Sequence, residues 1–233
     1  MKLAIIGGSL CGDIQGIADQ VSEERVKTPY GEPSDACITA RINQTDVIYL
    51  NRHARTHHIA PHQINYRANM FMLKVLEVTH VIAITAVGGI TSKMSPMRWV
   101  IPDQLIDYTH GRIQTYNDND ENEVTHIDFT YPFDRVLGEK LQSALTLENI
   151  QPVNQATYGV KQGPRLETAA EIMRMERDGC DIVGMTAMPE AALARELDMA
   201  YSTLSLVVNW AAGKGSGEDS NQPAEIITMD EIR

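Results

Sequence analysis

Residues 51–69, NRHARTHHIAPHQINYRAN, concentrate side chains that can bind anions, metals or protons. They hold four histidines and three arginines, whereas the whole chain has a formal net charge of -11. Arg52 follows the strand-like run DVIYLN, so its guanidinium is expected at the carboxyl edge of a sheet. There it could hold two phosphate oxygens, with His53 as a second donor. Anion binding is therefore the leading interpretation of this segment.

Other chemistry is open to the same segment. His53 and His57 are spaced i, i+4, as are His58 and His62, and this is a metal-ligand spacing when it falls on a helix. A proline and polar neighbours favour a loop instead. A solvated basic loop, and a histidine acting as base for Cys11 as nucleophile, are the further alternatives.

Three hydroxyl residues follow predicted buried strands. They are Ser9 in IIGGSL, Thr85 in ITAVGGI and Thr186 in DIVGMTAMPEAA. In α/β sheets, ligands bind beyond strand ends, and with Arg52 these hydroxyls would form a polar cup for a tetrahedral oxyanion. Each of them taken alone also fits a turn or a helix cap.

Apolar patterning predicts the elements that must position these residues. Short β-branched runs alternate with segments of helical periodicity, which predicts an α/β sheet with helices on both faces. The predicted strands are KLAIIG, TDVIYLN, HVIAITAVGG, ATYGV, CDIVGM and YSTLSLVVN, and the helices are YRANMFMLKVLEV, PFDRVLGEKLQSALTLEN, ETAAEIMRMERDG and MPEAALARELD. With 233 residues, 43% of them hydrophobic, we expect one domain over residues 1–233.

Composition argues against several classes of protein. No run of eighteen apolar residues occurs, so no membrane span is expected. A sequence pI near 5.0 makes a nucleic-acid partner a poor expectation. The first residues, MKLAIIGGSLCGDI, read as a strand and not as a signal peptide. Three cysteines without a CxxC pair fit a reducing cytoplasm.

Five motifs in order carry a family resemblance. GGSL, NRHARTHHIAPHQINYRAN, TAVGGI, QGPRLETAAE and DIVGMTAMPEAALARELDMAYSTLSLVVN together resemble the trimeric purine nucleoside phosphorylase and methylthioadenosine phosphorylase family. The match is most similar to its bacterial branch acting on S-methyl-5'-thioinosine. The resemblance implies a three-layer sandwich with a mixed central sheet flanked by helices. It also implies phosphorolysis of a purine nucleoside by inorganic phosphate in a cytoplasmic homotrimer, with no metal or organic cofactor.

The resemblance also implies residue roles. Six residues would hold the phosphate: Ser9, Arg52, His53, Thr85, Ala86 and Thr186. Eight would bind the nucleoside: Leu166, Glu167, Met185, Asn209, Ala211, His126, Met229 and Ile232. Within these sets Arg52, His53 and Asn209 are assigned to catalysis, Met185 lies against the ribose, and His126 reaches the 5' pocket of a neighbouring subunit.

Glu167 and Asn209 bear on the choice of purine. A carboxylate can accept the N1–H of a 6-oxopurine but would face the lone pair of adenine N1, and an amide can donate to O6 while it accepts from N7–H. By the same resemblance, adenine-specific relatives carry Ser at the place of Glu167 and Asp at the place of Asn209. We therefore expect hypoxanthine to be preferred over adenine. Glu167 also fits an exposed residue of a first helical turn.

The C-terminal residues bear on the 5' group of the substrate, and the chain departs from the family pattern at a few places. Met229 and Ile232 lie at i, i+3 in EIITMDEIR, and both suit a thioether as well as an ordinary core. The predicted reaction converts S-methyl-5'-thioinosine to hypoxanthine and 5-methylthioribose 1-phosphate, and the alternatives are an inosine/guanosine or a methylthioadenosine phosphorylase. Ala54 replaces a family glycine, Leu166 replaces an aromatic residue, and the last helix is expected to be incomplete.

Overall fold

A mixed β-sheet forms the centre of the molecule. The computed structural model describes residues 1–8, 20–117 and 124–215, and in these ranges eleven strands join one sheet. The strands are β1 Leu3–Gly7, β2 Gln20–Glu24, β3 Cys37–Ile42, β4 Thr45–Asn51, β5 His80–Gly89, β6 Trp99–Ile101, β7 Gln104–Asp107, β8 Val153–Asn154, β9 Thr157–Val160, β10 Ile182–Gly184 and β11 Ala200–Trp210. Their main order is β2-β3-β4-β1-β5-β10-β9-β7, and β11 pairs with both β5 and β6.

Helices flank the sheet, and side-chain caps begin three of them. The helices are α1 Tyr66–Val75, α2 Arg135–Leu147, α3 Ala169–Arg177 and α4 Ala187–Glu196, with a short 3₁₀ helix at Pro61–Gln63. Asn65 caps α1, Asp134 caps α2, and Thr168 forms a capping box with Glu171 at α3. These caps satisfy backbone N–H groups that would otherwise lack partners at the helix starts.

Neighbouring residues of β11 show that helices cover both of its faces. The Tyr201 hydroxyl donates to Glu190 of α4, whereas the Ser202 hydroxyl lies against Gly138 of α2. Successive side chains of a strand point to opposite faces, so α4 and α2 lie on opposite sides. The predicted α/β class, with a mixed sheet flanked by helices, is therefore confirmed. Within the described ranges, the helices are too short or too polar to cross a membrane.

β5 has an unpaired edge in the middle of the sheet. β11 pairs along one edge of β5 from His80 to Gly89. On the other edge, β1 pairs only as far as Ala83, and β10 pairs only with Gly88 and Gly89. Residues 84–87 therefore have no strand on that side among the described residues. The sheet opens there, between a parallel neighbour and an antiparallel one.

Candidate active site

A cavity of about 530 Å³ lies at this opening. It brings together residues of β5, β10 and β11 and of the segments that follow β1, β4, β9, β10 and β11. Ten of the residues predicted from the sequence line it: Arg52, His53, Thr85, Ala86, Leu166, Glu167, Met185, Thr186, Asn209 and Ala211. Segments separated by up to 204 positions along the chain, from Gly8 to Ala212, thus meet in one place.

Within the described ranges, His126 is the one predicted residue that does not line the cavity. Ser9, Met229 and Ile232 lie outside the described residues. His126 is exposed on the surface of the chain and is absent from the cavity wall. Its predicted contribution to a neighbouring subunit remains a prediction.

Thr85 and Thr186 meet because β10 runs antiparallel to β5. The register pairs Ile182 with Gly89 and Val183 with Gly88, so continuing it brings Thr186 alongside Thr85. The expectation that Thr85 ends its strand is wrong, because β5 continues to Gly89. Thr85 lines the cavity from within the strand, at the stretch where one edge of β5 has no partner among the described residues.

Arg52 is fully buried and paired with a carboxylate. Its Nε and one Nη donate to the two carboxylate oxygens of Glu190, both at 2.8 Å, and the other Nη donates to Ile84 O at 3.3 Å. Tyr201 also donates to Glu190 at 2.9 Å. Three of the five N–H groups of the guanidinium are therefore engaged, and its charge is matched. Gly8 closes over this group, since a Cβ there would lie 3.0 Å from the Arg52 nitrogen.

The two-oxygen clamp by Arg52 stays a prediction. The side of the guanidinium that carries Nε binds Glu190, and two N–H groups of the other side are left for a ligand. Sequence reasoning missed Glu190. A signal was present, because a lone glutamate inside the apolar run AMPEAALA needs a buried cation.

His53 is neutral near pH 7. Burial and the adjacent Arg52 charge lower the pKa of its imidazole to about 4. Its Nδ1 lies 2.8 Å from Ile59 O, and because a carbonyl oxygen only accepts, Nδ1 carries the proton. The predicted role of His53 as a donor is therefore corrected, since its Nε2 is an acceptor.

A β-bulge sets the position of Asn209. The register of β11 against β5 shifts between Val207 and Asn209, so that Asn209 pairs with Gly88. A bulge re-aims the side chains beyond it, and here Asn209 lines the cavity. One N–H of its amide donates to Trp210 O at 3.0 Å, which leaves one N–H and the carbonyl for a ligand.

Glu167 offers the cavity a buried acceptor. Its Oε1 is buried and has no hydrogen-bond partner in the described chain. Burial raises the pKa of this carboxyl, while a backbone hydrogen bond and Lys161 oppose the rise. A buried oxygen without a partner is costly unless a ligand satisfies it. Glu167 is therefore more than the exposed first-turn residue that was its alternative.

Arg112 supports the Met185 side of the cavity. It donates to Met185 O at 2.8 Å, Met188 O at 2.5 Å and Gln162 O at 2.7 Å, and its guanidinium lies over the Tyr66 ring. One arginine thus joins the segment before α4 to the loop before α3. Nothing in the sequence singled out Arg112, because backbone carbonyl partners leave no motif.

The other histidines are placed by a loop. Residues 52–57 form turns, so the helical i, i+4 spacing needed for the metal interpretation is absent there. His57 and His58 both line the cavity. Across the described ranges, no group of three or more His, Cys, Asp or Glu could hold a metal ion.

Comparison with known proteins identifies the family. The model of the Phosphorylase superfamily matches residues 2–230. The chain belongs to the phosphorylase superfamily.

Named relatives of this phosphorylase fall into two groups. It is 46% identical over 229 residues to a probable S-methyl-5'-thioinosine phosphorylase of Pseudomonas syringae pv. tomato, covering 98% of this chain and 89% of that protein. It is 42% identical over 217 residues to a 6-oxopurine nucleoside phosphorylase of Pyrococcus furiosus, covering 91% and 80%. The crystal structure of a methylthioadenosine phosphorylase from an Antarctic soil metagenomic library superposes with a TM-score of 0.86 at 35% identity, covering 93% of this chain and 76% of that one.

Proposed function

We propose that this phosphorylase converts S-methyl-5'-thioinosine and phosphate to hypoxanthine and 5-methylthioribose 1-phosphate. The observation that carries the proposal is the pairing of Glu167 and Asn209 on the wall of one cavity. Relatives that are 41–46% identical bear the name of probable S-methyl-5'-thioinosine phosphorylases, which supports the choice.

Phosphate binds at the end of the cavity formed by Arg52, His53, Thr85, Ala86 and Thr186. Two N–H groups of Arg52 and the two threonine hydroxyls donate to its oxygens. Neutral His53 accepts, through Nε2, a hydrogen bond from the P–OH group of the hydrogen phosphate dianion. The site therefore favours a phosphate that still carries one proton.

The purine lies at the other end, against Glu167 and Asn209. The Glu167 carboxylate accepts N1–H, which gives its unpartnered Oε1 a partner. The free N–H of Asn209 donates to O6, and its carbonyl accepts from N7–H as the base leaves. Adenine would leave both groups mismatched, at a cost of about 1–3 kcal/mol for each unsatisfied buried group.

The reaction needs placement and charge more than covalent participation. The C1'–N9 bond breaks with oxocarbenium character, so the sugar becomes positive and the purine negative. Phosphate beside C1' stabilises the cation and then captures it, and Asn209 stabilises the leaving base. No metal or organic cofactor takes part in this scheme, and phosphate is a co-substrate.

The methylthio group and the assembly complete the proposal. We infer an apolar 5' pocket from Met229 and Ile232 and a homotrimer in which His126 serves a neighbouring subunit. The enzyme acts in the cytoplasm as one domain over residues 1–233. A 6-oxopurine nucleoside phosphorylase is the second candidate, because the Pyrococcus furiosus relative bears that name and the base contacts are the same.

A substrate panel tests the function. Methylthioinosine, methylthioadenosine, inosine, guanosine and adenosine are incubated with the purified enzyme with and without phosphate, and the free base is measured. Phosphate-dependent cleavage of methylthioinosine above the other four is expected. Preference for inosine would retain the base contacts and reject the 5' pocket, and cleavage without phosphate would reject phosphorolysis.

Asn209→Asp tests the base contacts separately. The variant is expected to move the ratio of kcat/KM for methylthioinosine over methylthioadenosine toward the adenine substrate by about tenfold, because one amide donor is lost. Asn149→Asp makes the same charge change at an exposed turn after α2 and should leave the ratio unaltered. An unchanged ratio in Asn209→Asp would disprove the assigned role of Asn209.

A further inference from the structure

The threonine hydroxyls at the phosphate end can donate their protons either to the ligand or to another group of the protein. A hydroxyl has one proton, so it donates to a ligand only if that proton is not already given to another group. The Thr85 hydroxyl lies 2.8 Å from the Ser205 hydroxyl, with both residues buried, and either oxygen could be the donor. Something behind the threonines must therefore decide where their protons point.

Tyr158 places another hydroxyl behind the same site. It lies on β9, in register with Ile182 of β10, and its side chain is 0% exposed. Its hydroxyl sits against Gly184, where an added Cβ would collide with it. Gly184 lines the cavity and precedes Thr186 by two residues, so Tyr158 reaches the back of the cavity wall.

The Tyr158 hydroxyl is also unsatisfied. It makes no hydrogen bond of acceptable geometry within the described part of the chain, although it is completely buried. Burial raises the pKa of the phenol to about 12, while the charge of Arg52 and the nearby hydroxyls of Thr85 and Thr186 oppose that rise. The two threonines are thus neighbours of the phenol.

We propose that Tyr158 and Ser205 form a second row of buried hydroxyls that points the protons of Thr85 and Thr186 toward the phosphate. Ser205 donates to Thr85, and Tyr158 donates to Thr186. Each threonine then accepts from behind and donates into the cavity. Tyr158 and Ser205 are therefore positioning residues. The proposal rests on the phosphate end assigned under the proposed function.

The cost of the arrangement explains why it points to a ligand. A buried hydroxyl without a partner destabilises a fold, and phenylalanine would fill nearly the same space without that penalty. A tyrosine that served packing alone would gain nothing from its oxygen. With phosphate bound, the Tyr158 proton gains a partner, since Thr186 turns its own proton to the ligand.

The test compares three variants that each remove one buried hydroxyl. Tyr158→Phe and Ser205→Ala remove the second row. Ser202→Ala removes an equally buried and unpartnered hydroxyl on the opposite face of β11, against α2, and serves as the matched control. The measurements are the Kd of inorganic phosphate by calorimetry, the KM values of phosphate and nucleoside, and the Tm without ligand.

We expect a loss confined to phosphate. Tyr158→Phe and Ser205→Ala should each raise the Kd and KM of phosphate about five- to tenfold, the size of one lost hydrogen bond, with the nucleoside KM within about twofold. Tyr158→Phe should also keep or raise the Tm without ligand, as should Ser202→Ala, which leaves phosphate binding unaltered. A purely structural role would lower the Tm and leave the phosphate Kd in place.

Three outcomes are decisive. A phosphate Kd within twofold of wild type in both second-row variants overturns the proposal while the enzyme's activity stands. If wild type binds phosphate but cleaves no nucleoside, the proposed function fails, and the phosphate Kd still decides the roles of Tyr158 and Ser205. Should Tyr158→Phe not fold, Ser205→Ala alone carries the test, because its hydrogen bond to Thr85 is present in the structure.

Discussion

At the scale of single residues, oriented donors rather than net charge form the proposed phosphate end of the cavity. The positive charge of Arg52 is balanced by Glu190 through two hydrogen bonds of 2.8 Å, and burial keeps His53 neutral. Unpaired cations in a buried cavity would be costly to desolvate, whereas hydroxyls and a paired guanidinium can be fixed in advance. An acidic protein can therefore bind a dianion without a strongly basic pocket.

Sequence reasoning found ten residues that line the cavity and missed residues that pack behind them. Arg52, Thr85 and Thr186 were found because a motif or a strand end marks each one. Glu190 is 138 positions from Arg52 along the chain. Tyr158 lies beside the cavity wall only because β9 pairs with β10, which the sheet register shows. Pairings between distant segments depend on tertiary packing, which local patterns do not encode.

Ala54 follows His53 in a strained conformation. Its φ is 62°, a left-handed value that costs an L-residue about 1–2 kcal/mol. Ala54→Gly removes that strain but adds freedom to the unfolded chain, worth about 0.5–1 kcal/mol in the other direction. The net expectation is a gain of about 0.5–1 kcal/mol in the free energy of unfolding, measured by urea denaturation.

Ala60 provides the control for this substitution. Its φ of -67° and ψ of 153° are ordinary for alanine, so Ala60→Gly should lose up to about 1 kcal/mol of stability. If both variants lost stability equally, the backbone strain at Ala54 would have no energetic consequence.

At the scale of elements, every predicted strand is present, but five further strands were missed. All six predicted strands and all four predicted helices are present, with ends that differ by a few residues. The predictions omitted β2, β3, β6, β7 and β8, which are two to six residues long. QVSEE contains one apolar residue, CITARI mixes apolar and polar residues, and Val153–Asn154 is too short to show any period. Pairing with neighbouring strands, rather than a sequence pattern, therefore defines these strands.

The opening in the sheet is likewise a property of pairing. It depends on where β1 stops and β10 begins along β5, and both ends are matters of register. The sequence shows the glycines beside the opening. It does not show that residues 84–87 lack a strand on one of their two edges among the described residues.

Arg112 is the element-scale contact with the clearest consequence. Arg112→Lys keeps the charge but replaces a five-donor fork with a single ammonium group, which cannot reach Met185 O, Met188 O and Gln162 O together. The carbonyls left without a donor should cost about 2–3 kcal/mol of stability. Because Met185 is assigned to the ribose, the nucleoside KM should rise about tenfold while the phosphate KM changes less.

Arg135→Lys is the matched control for that variant. Arg135 lies on α2 with 89% of its side chain exposed, in an i, i+4 pair with Glu139. Its replacement should alter stability by less than about 0.5 kcal/mol and leave both KM values in place. Equal effects of the two substitutions would show that Arg112 does not organise the cavity.

At the scale of the whole molecule, the predicted 5' residues raise the question of assembly. Met229 and Ile232 lie outside the described residues, and His126 is exposed away from the cavity. A residue supplied by a neighbouring subunit would explain why His126 faces solvent in one chain. This requires a cyclic assembly, for which we expect a solution mass three times that of the 25.9 kDa chain.

Mixing two inactive variants tests the exchange of His126 between subunits. Each site would need Asn209 from its own chain and His126 from a neighbour. His126→Ala and Asn209→Ala should each lose most activity toward methylthioinosine, and trimers formed by co-expressing both chains should recover about a quarter of the wild-type rate, because random assembly pairs intact partners at one site in four. The two proteins purified separately and mixed without subunit exchange provide the baseline.

The outcomes separate the possible positions of His126. Recovery near a quarter requires that the two residues of one site come from different chains. If His126 served its own chain, no mixed trimer could contain a site with both residues intact, and activity would stay at the baseline. Full activity of His126→Ala alone would remove the residue from the 5' pocket altogether. A mass equal to one chain, with activity retained, would exclude shared sites, and the 5' group would then have to be held within the chain that holds the base.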